Sequence, residues 1–259
     1  DDFFSHWEHI IQTTKNARGR PITSGTIKSK KGTLTLIKEY CEKQKFKLTF
    51  QGIDINFYHA FDAFMLLRGL NDNTRGKHFK EIKAILREAE DRDIPVNGSY
   101  RKKSFKVIRI QPDNVYLNEA EIRKIYDLTL TAAKSQLRDI FVMACFVGAR
   151  HCDWNKINSN NVIKENSREF LKYKDTKTGK IVHLPIHPVV KKILTKYNGT
   201  PPAVITNQKF NEALKEICRD ADLGNVTIDN TLQAKWREIT THTARRSFAT
   251  NAYLSKSLD

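Results

Sequence analysis

The stretch LRDIFVMACFVGA, residues 137–149, constrains the fold more than any other part of the chain. Its apolar residues fall on nearly every face of a helix, so that helix has to be enclosed by other elements. Gly148 marks its end, because glycine accepts the left-handed conformation in which helices commonly terminate. The sequence on either side supplies elements able to enclose it. LNEAEIRKIYDLTL opens with Asn118 as an N-cap and places Glu119 and Glu121 in the first turn. HPVVKKILTKY and NQKFNEALKEICRDADL are amphipathic, and THTARRSFATN falls in a last helix. Between these helices, NVIKENSREFLKYKDTKTGKIVHLPI alternates and turns like a small antiparallel sheet, with DTKTGK as a tight hairpin tip.

The N-terminal part is helical. SHWEHIIQTT is short and amphipathic. From Ser24, the expected cap, the next helix gathers Leu34, Leu36, Ile37, Tyr40 and Cys41 near one side. KFKLTFQGIDI is an extended connection, and INFYHAFDAFMLLRGL is apolar enough to pack on several sides. Asn71, Asp72 and Asn73 cap a helix with Phe79, Ile82, Ile85 and Leu86 as its buried stripe, and Arg75, Lys77, Lys80 and Lys83 are expected on the opposite face. Between Ile94 and Asn114 the pattern breaks into turn residues and a basic extended run. The fold class is therefore mainly α with a small antiparallel β-sheet. A helical domain is expected over residues 1–108 and a mixed α/β domain over 109–259.

Charge narrows the partner. The chain has 45 Lys and Arg against 29 Asp and Glu, a formal net charge of +16, which fits a polyanion such as double-stranded DNA. The expected backbone-phosphate contacts are Lys31, Arg75, Lys77, Lys80 and Lys83, with Arg101, Lys102 and Lys103 on a basic strap. A solvated lysine-rich face is the alternative reading of the same residues. Cys41, Cys145, Cys152 and Cys218 form no CxxC pair and read as reduced, buried thiols. His151 beside Cys152 is at most half a zinc site, with no second pair at ligand spacing, so no metal is expected. No apolar run reaches membrane-spanning length and the N-terminus lacks a signal pattern, so the expected location is cytoplasmic.

Three features could carry chemistry. Arg150 follows the Gly148 break and is held by a turn at the end of a rigid helix; read alone, it could equally be a surface arginine capping that helix. Lys177 sits at the hairpin tip, where a lysine is normally just solvated. His242 and Arg245 are three residues apart on one helix and share a face, while Arg246 is expected to point elsewhere and Ala244 and Phe248 to form the buried side. Taken together they fit displacement at a phosphodiester. Two arginines can grip the non-bridging oxygens with paired N–H donors, and a lysine or histidine can move protons at the leaving and attacking oxygens. No metal is then required, in keeping with the lack of a carboxylate cluster suited to holding two cations.

These residues, in this order, resemble the tyrosine recombinases, the phage-type integrases, particularly those of Bacteroides-like mobile elements. VGARHCDW is similar to the family's TGLRxxD box, with Arg150 at the first catalytic arginine, Asp153 at the supporting acidic position, and Val147 and Ala149 departing from the usual Thr and Leu. KTGKIVHLPI resembles the hairpin of the catalytic lysine; Lys177 matches by its distance to the closing Leu-Pro, and Lys174 and Lys180 compete with it. HTARRSFATN resembles the HxxR box, and NTRGKHFKEIKAILREA the last helix of the core-binding domain. The resemblance implies a core-binding domain over residues 1–108, a catalytic domain over 109–259, and strand cleavage and rejoining through a 3′-phosphotyrosine link in DNA integration. Arg150 and Arg245 would then stabilise the phosphorane-like charge, Lys177 would protonate the leaving 5′ oxygen and His242 would assist proton transfer. The implied partners are double-stranded DNA and other recombinase protomers in a tetrameric synapse, with no metal or nucleotide cofactor. The family's next His or Trp and its nucleophilic Tyr follow the HxxR box by some tens of residues and are expected beyond Asp259, as an arm-binding domain is expected before the start. Tyr253 is not expected to be the nucleophile; its place on the last helix suits a packed or interfacial ring. Two rival readings are a non-catalytic DNA-binding protein that kept this fold and a metal-dependent nuclease.

Overall fold

The computed structural model describes residues 2–16 and 19–255. The chain forms two compact units, Asp1–Gln111 and Pro112–Asp259, each with its own hydrophobic core.

The first unit holds four helices: α1 (Phe3–Thr13), α2 (Ser24–Gln44), α3 (Ile55–Leu67) and α4 (Asp72–Glu90). Side-chain oxygens cap each of them: Asp2, Thr23, Asp54 and Asn71 accept from the backbone N–H three residues on. The cap of α2 is thus Thr23, one residue before the expected Ser24, which is itself helical. Trp7, Ile37, Phe61, Met65, Phe79 and Ile82 fill the centre, with Tyr40 meeting Phe57, Phe61 and Phe64 ring to ring.

The basic run after α4 is not a free strap. Tyr100 and Phe105 are buried in the core of the first unit. Asn73 clamps Ile110 on both sides, its Oδ1 accepting from the Ile110 N–H at 2.9 Å and its Nδ2 donating to the Ile110 carbonyl at 2.8 Å. Gly76 lets the chain cross α4, since a Cβ there would overlap the carbonyl of Ile108. The unit accordingly runs to Gln111.

In the second unit α5 (Glu119–Tyr126) carries a full capping box between Asn118 and Glu121. The enclosed helix is α6 (Ala132–Val147), with every residue from Arg138 to Cys145 buried. Its two buried charged residues, Arg138 and Asp139, are satisfied internally. Asp139, fully buried, accepts from Arg138 Nε at 2.6 Å, Lys196 Nζ at 2.7 Å and the Tyr197 hydroxyl at 2.8 Å. Three antiparallel strands follow, β1 (Val162–Glu165), β2 (Arg168–Lys174) and β3 (Ile181–Pro185), in the order β1-β2-β3, with Val162 opposite Leu171 and Lys174 opposite Ile181. Then come α7 (Pro188–Lys196) and α8 (Asn207–Arg219). A second hairpin, β4 (Asn225–Ile228) with β5 (Thr231–Ala234), was not expected from the sequence pattern. It turns on Asp229 and Asn230, both at positive φ (47° and 61°), the backbone a tight two-residue hairpin turn requires. The last helix, α9 (Thr241–Leu254), packs along α6. Among the described residues no helix is long and apolar enough to cross a membrane.

Candidate active site

The site grows from the end of α6. Gly148 adopts φ 66° as the C-cap, and the chain turns into a single 3-10 helix, His151–Lys156. Trp154 pins this turn: its ring is buried and its Nε1 donates to the carbonyl of Ala149 at 3.0 Å. Arg150 is therefore presented from a rigid corner, partly exposed, and its Nη1 donates to the Asp175 carboxylate.

Asp153 sits beneath, fully buried. It accepts from Lys156 Nζ at 2.6 Å, from the Thr176 hydroxyl at 2.5 Å and from the Thr176 N–H at 3.1 Å. Burial works against its ionisation, but the bonds from Lys156 and Thr176 outweigh it and hold the carboxyl below its usual range. Lys156 also donates to the carbonyl of Lys174 at 2.5 Å, so the turn after α6 is stitched to the β2–β3 hairpin.

That hairpin places Lys177 at its exposed tip. Asp175, buried at the base of the tip, accepts from the N–H and the hydroxyl of Thr178 at 2.7 and 2.8 Å. Desolvation pushes its carboxyl up, and the Thr178 bonds with Arg150 more than reverse that shift. Tyr173 on β2 is buried. Its hydroxyl is pushed up to about 12 by burial and by Asp153 and Asp175, against the opposing pull of Arg245 and Arg150. It is a neutral side chain there.

α9 brings the remaining residues. Its first turn is fixed to α8: the Thr241 N–H donates to Asn211 at 2.8 Å and the Thr241 hydroxyl to Asn207 at 2.6 Å. Ser247, buried on the same helix, accepts from the Leu117 N–H at 2.9 Å. With the helix anchored, Arg245 Nη1 donates to the carbonyl of Gly148 at 2.6 Å, on the very turn that carries Arg150. His242 is exposed, and its ring is held below its usual range by burial of part of the ring and then by Arg246, Arg245, Arg150 and Lys177. Arg150, Lys177, His242 and Arg245, distant in sequence, thus share one electrostatic neighbourhood. Arg246, expected to point away, is the strongest of the four cations acting on His242. Phe248 is half-buried, with its ring against Gly148, and Ala244 is fully buried.

Other expected placements need correction. Arg75 does not lie on the solvent face of α4: it is buried, bonded to Asp62 at 3.0 Å and to Asp72, because the first turn of α4 faces α3. Lys83 is half-buried with its ammonium over the Phe105 ring, and burial followed by Arg87 holds its amine below the usual range. Arg101 is exposed but paired with Glu90 and stacked on Tyr100. Lys31, Lys77, Lys80, Lys102 and Lys103 are exposed. Cys152 is exposed too, since Asp153 and Trp154 take the inward positions of its turn; the other three thiols are buried. Tyr253 is 74% exposed and packs on nothing in its own unit's core. Among the described residues no three His, Cys, Asp or Glu side chains converge as a bound metal would require. The residues the sequence pattern missed are Tyr173 and Asp175. Asp175 had a readable signal, an Asp opening a Thr-rich turn, where its carboxylate accepts from a backbone N–H further along.

Comparison with known proteins agrees with this architecture. Residues 2–107 match the phage integrase SAM-like domain. No curated protein matches the chain in sequence. Among solved structures, a lambda integrase dimer bound to a COC' core site is similar over 99% of this chain and 87% of that one, at 14% identity and TM-score 0.75. The Tn1549 transposon integrase in complex with circular intermediate DNA is similar over 98% and 87%, at 14% identity and TM-score 0.69. The XerH site-specific recombinase bound to difH is similar over 98% and 85%, at 14% identity and TM-score 0.65. The chain has the fold of the tyrosine recombinases. More particularly, its N-terminal unit carries the phage integrase SAM-like domain.

Proposed function

We propose that the chain works as a site-specific DNA recombinase of the integrase type, cleaving and rejoining strands through a 3′-phosphotyrosine intermediate in the integration of a mobile element. The observation that carries this reading is the pair of arginines tied to one turn: Arg150 follows Gly148 by two residues, and Arg245 is bonded to the Gly148 carbonyl. Two planar guanidiniums held on one rigid corner suit the two non-bridging oxygens of a scissile phosphate, where charge grows as the phosphorus becomes five-coordinate.

Lys177, on the exposed tip, would donate a proton to the leaving 5′ oxygen. His242, kept largely neutral by burial and its cationic neighbours, would accept or relay the proton of the attacking hydroxyl. Asp153 and Tyr173 touch no substrate in this scheme; they hold the turn and the floor beneath it. The exposed Lys31, Lys77, Lys80, Lys102 and Lys103 would contact backbone phosphates of double-stranded DNA, with further protomers assembling on the same DNA. Lambda integrase, XerH and the Tn1549 integrase, each solved with DNA, support the choice of partner.

Covalent adduct formation by the full gene product on nicked duplex substrates is the test. Arg150→Ala and Arg245→Ala should each remove the adduct, while DNA affinity falls by less than about tenfold. Loss of a preorganised donor to developing charge raises the barrier by roughly 3 to 4 kcal/mol, more than most single phosphate contacts add to binding. An arginine variant that cleaves at near wild-type rate sinks the catalytic assignment. DNA binding without any adduct from the wild type would favour a binding protein that kept the fold.

A further inference from the structure

We infer that Asp175 is a positioning residue that couples the side chain of Arg150 to the turn carrying Lys177. The inference rests on the recombinase reading for its purpose, but not for its geometry.

The two oxygens of this buried carboxylate do different things. Oδ1 accepts both the N–H and the hydroxyl of Thr178, at 2.7 and 2.8 Å, closing the side-chain turn over residues 175–178. The backbone closes the same loop independently, with the Asp175 N–H donating to the Lys180 carbonyl at 2.9 Å and the Gly179 N–H to the Asp175 carbonyl at 2.8 Å. Oδ2 takes no part in the turn; it accepts from Arg150 Nη1. A turn of this kind needs only one side-chain oxygen, so the second bond is not required by the hairpin. Asp153, Lys156 and Thr176 already stitch the backbone of the corner after α6 to the hairpin, and this bond adds the one link that fixes the Arg150 side chain itself to the tip two residues from Lys177. One Nη1 donor is occupied in this way; in the recombinase reading the remaining donors of the guanidinium would face the phosphate. The carboxylate side chain is only 6% exposed, so water cannot readily replace either partner. Without Arg150, a buried charge would be left half-paired and driven toward solvent, loosening the side-chain turn that Oδ1 closes with Thr178.

This makes a reciprocal prediction. In the DNA-free full chain, Arg150→Gln should speed amide exchange at Thr178 and Gly179 at least tenfold. Asp175→Asn keeps an oxygen for Thr178 but no charge. In that background, adding Arg150→Gln should change the same amides less than twofold. The spectroscopic signature is the Arg150 Nη–Hη resonance of the bonded donor, which should move toward that of free arginine in Asp175→Asn while the melting transition stays cooperative. A purely structural carboxylate would leave that resonance in place. On nicked duplex, Asp175→Asn should slow adduct formation at saturating DNA, with DNA affinity within about threefold of wild type. Should Asp175→Asn fail to fold, the Arg150→Gln arm reads the coupling without touching Asp175. Tip amides within twofold of wild type in Arg150→Gln, or unslowed adduct formation in a folded Asp175→Asn, overturn the proposal. Intact coupling in a wild type that forms no adduct would instead remove the recombinase reading.

Discussion

Gly148 offers the sharpest test of how the site is built. It sits at φ 66°, where an L-residue is strained, and an added Cβ would run into the Phe248 ring of α9. Gly148→Ala therefore meets two separate penalties. The left-handed backbone costs about 1 to 2 kcal/mol for a residue with a Cβ. Pressing a methyl into the Phe248 ring costs about 1 to 3 kcal/mol more. The Phe248→Ala change removes the second penalty and leaves the first. Denaturant unfolding of wild type, the two single variants and the double variant closes the cycle. Gly148→Ala should destabilise the second unit by about 2 to 5 kcal/mol in the native background and by about 1 to 2 kcal/mol when Phe248 is already Ala. A coupling energy within about 0.5 kcal/mol of zero would refute the reasoning, because it would mean that the ring does not occupy the space a Cβ needs.

Other perturbations have equally definite outcomes. Neutralising Lys77, Lys80 and Lys102 should lower the log–log salt slope of duplex binding by about 0.9 for each phosphate no longer neutralised. The same change at the buried Arg75 should instead lower stability, and an unchanged slope would return the lysines to a solvated face. His242 should titrate below its ordinary 6.5 by ring NMR, and Arg246→Ala should bring it back upward. Because the folded state disfavours the protonated ring, its contribution to stability is full above pH 6.5 and is lost as pH falls from there through the depressed value. A His242 titration at or above 6.5 in the free protein would contradict the clustering of cations around it. Tyr253→Phe should leave adduct formation by the gene product unchanged. The side chain sits eight residues beyond Arg245 on one rigid helix, about 12 Å along its axis, too far for in-line attack on the phosphate that Arg245 grips.

Much of the fold could be read from the chain because its strongest patterns are local. The run from Ile140 to Cys145 is apolar on all faces and is enclosed; Asn118 with Glu121 gives the capping box it spells. The misses share a cause. Arg75 lies at the start of α4, where helical periodicity assigns a cation to the outside, but Asp62, brought by tertiary packing, joins the local Asp72 and makes its burial tolerable. Tyr100 and Phe105 look isolated within a basic run, and only the Gly76 gap and the Asn73 clamp explain why the segment lies down on α4. The β4–β5 hairpin was hidden because its strands are four residues each and only partly buried. At the site, the residues that touch substrate in the proposed chemistry stood out by type and order. Tyr173 beside them did not, since a tyrosine in a strand is ordinary until its neighbours are known, and the turn signal of Asp175 gave no hint of its bond to Arg150.

The bond from Arg245 to the Gly148 carbonyl also bears on which parts of the chain can change length. One residue added within α6 would rotate everything after it by about 100° and advance it by about 1.5 Å. Arg150 and the acceptor for Arg245 would then leave their places together, so neither arginine could be recovered by adjusting the other. The turn at Asn166 and Ser167, between two strands far from any of these bonds, carries no such restriction. Among relatives of this chain, insertions and deletions should therefore collect in the β1–β2 turn and be absent from the 16 residues of α6. The helix acts as a ruler that sets where both arginines stand.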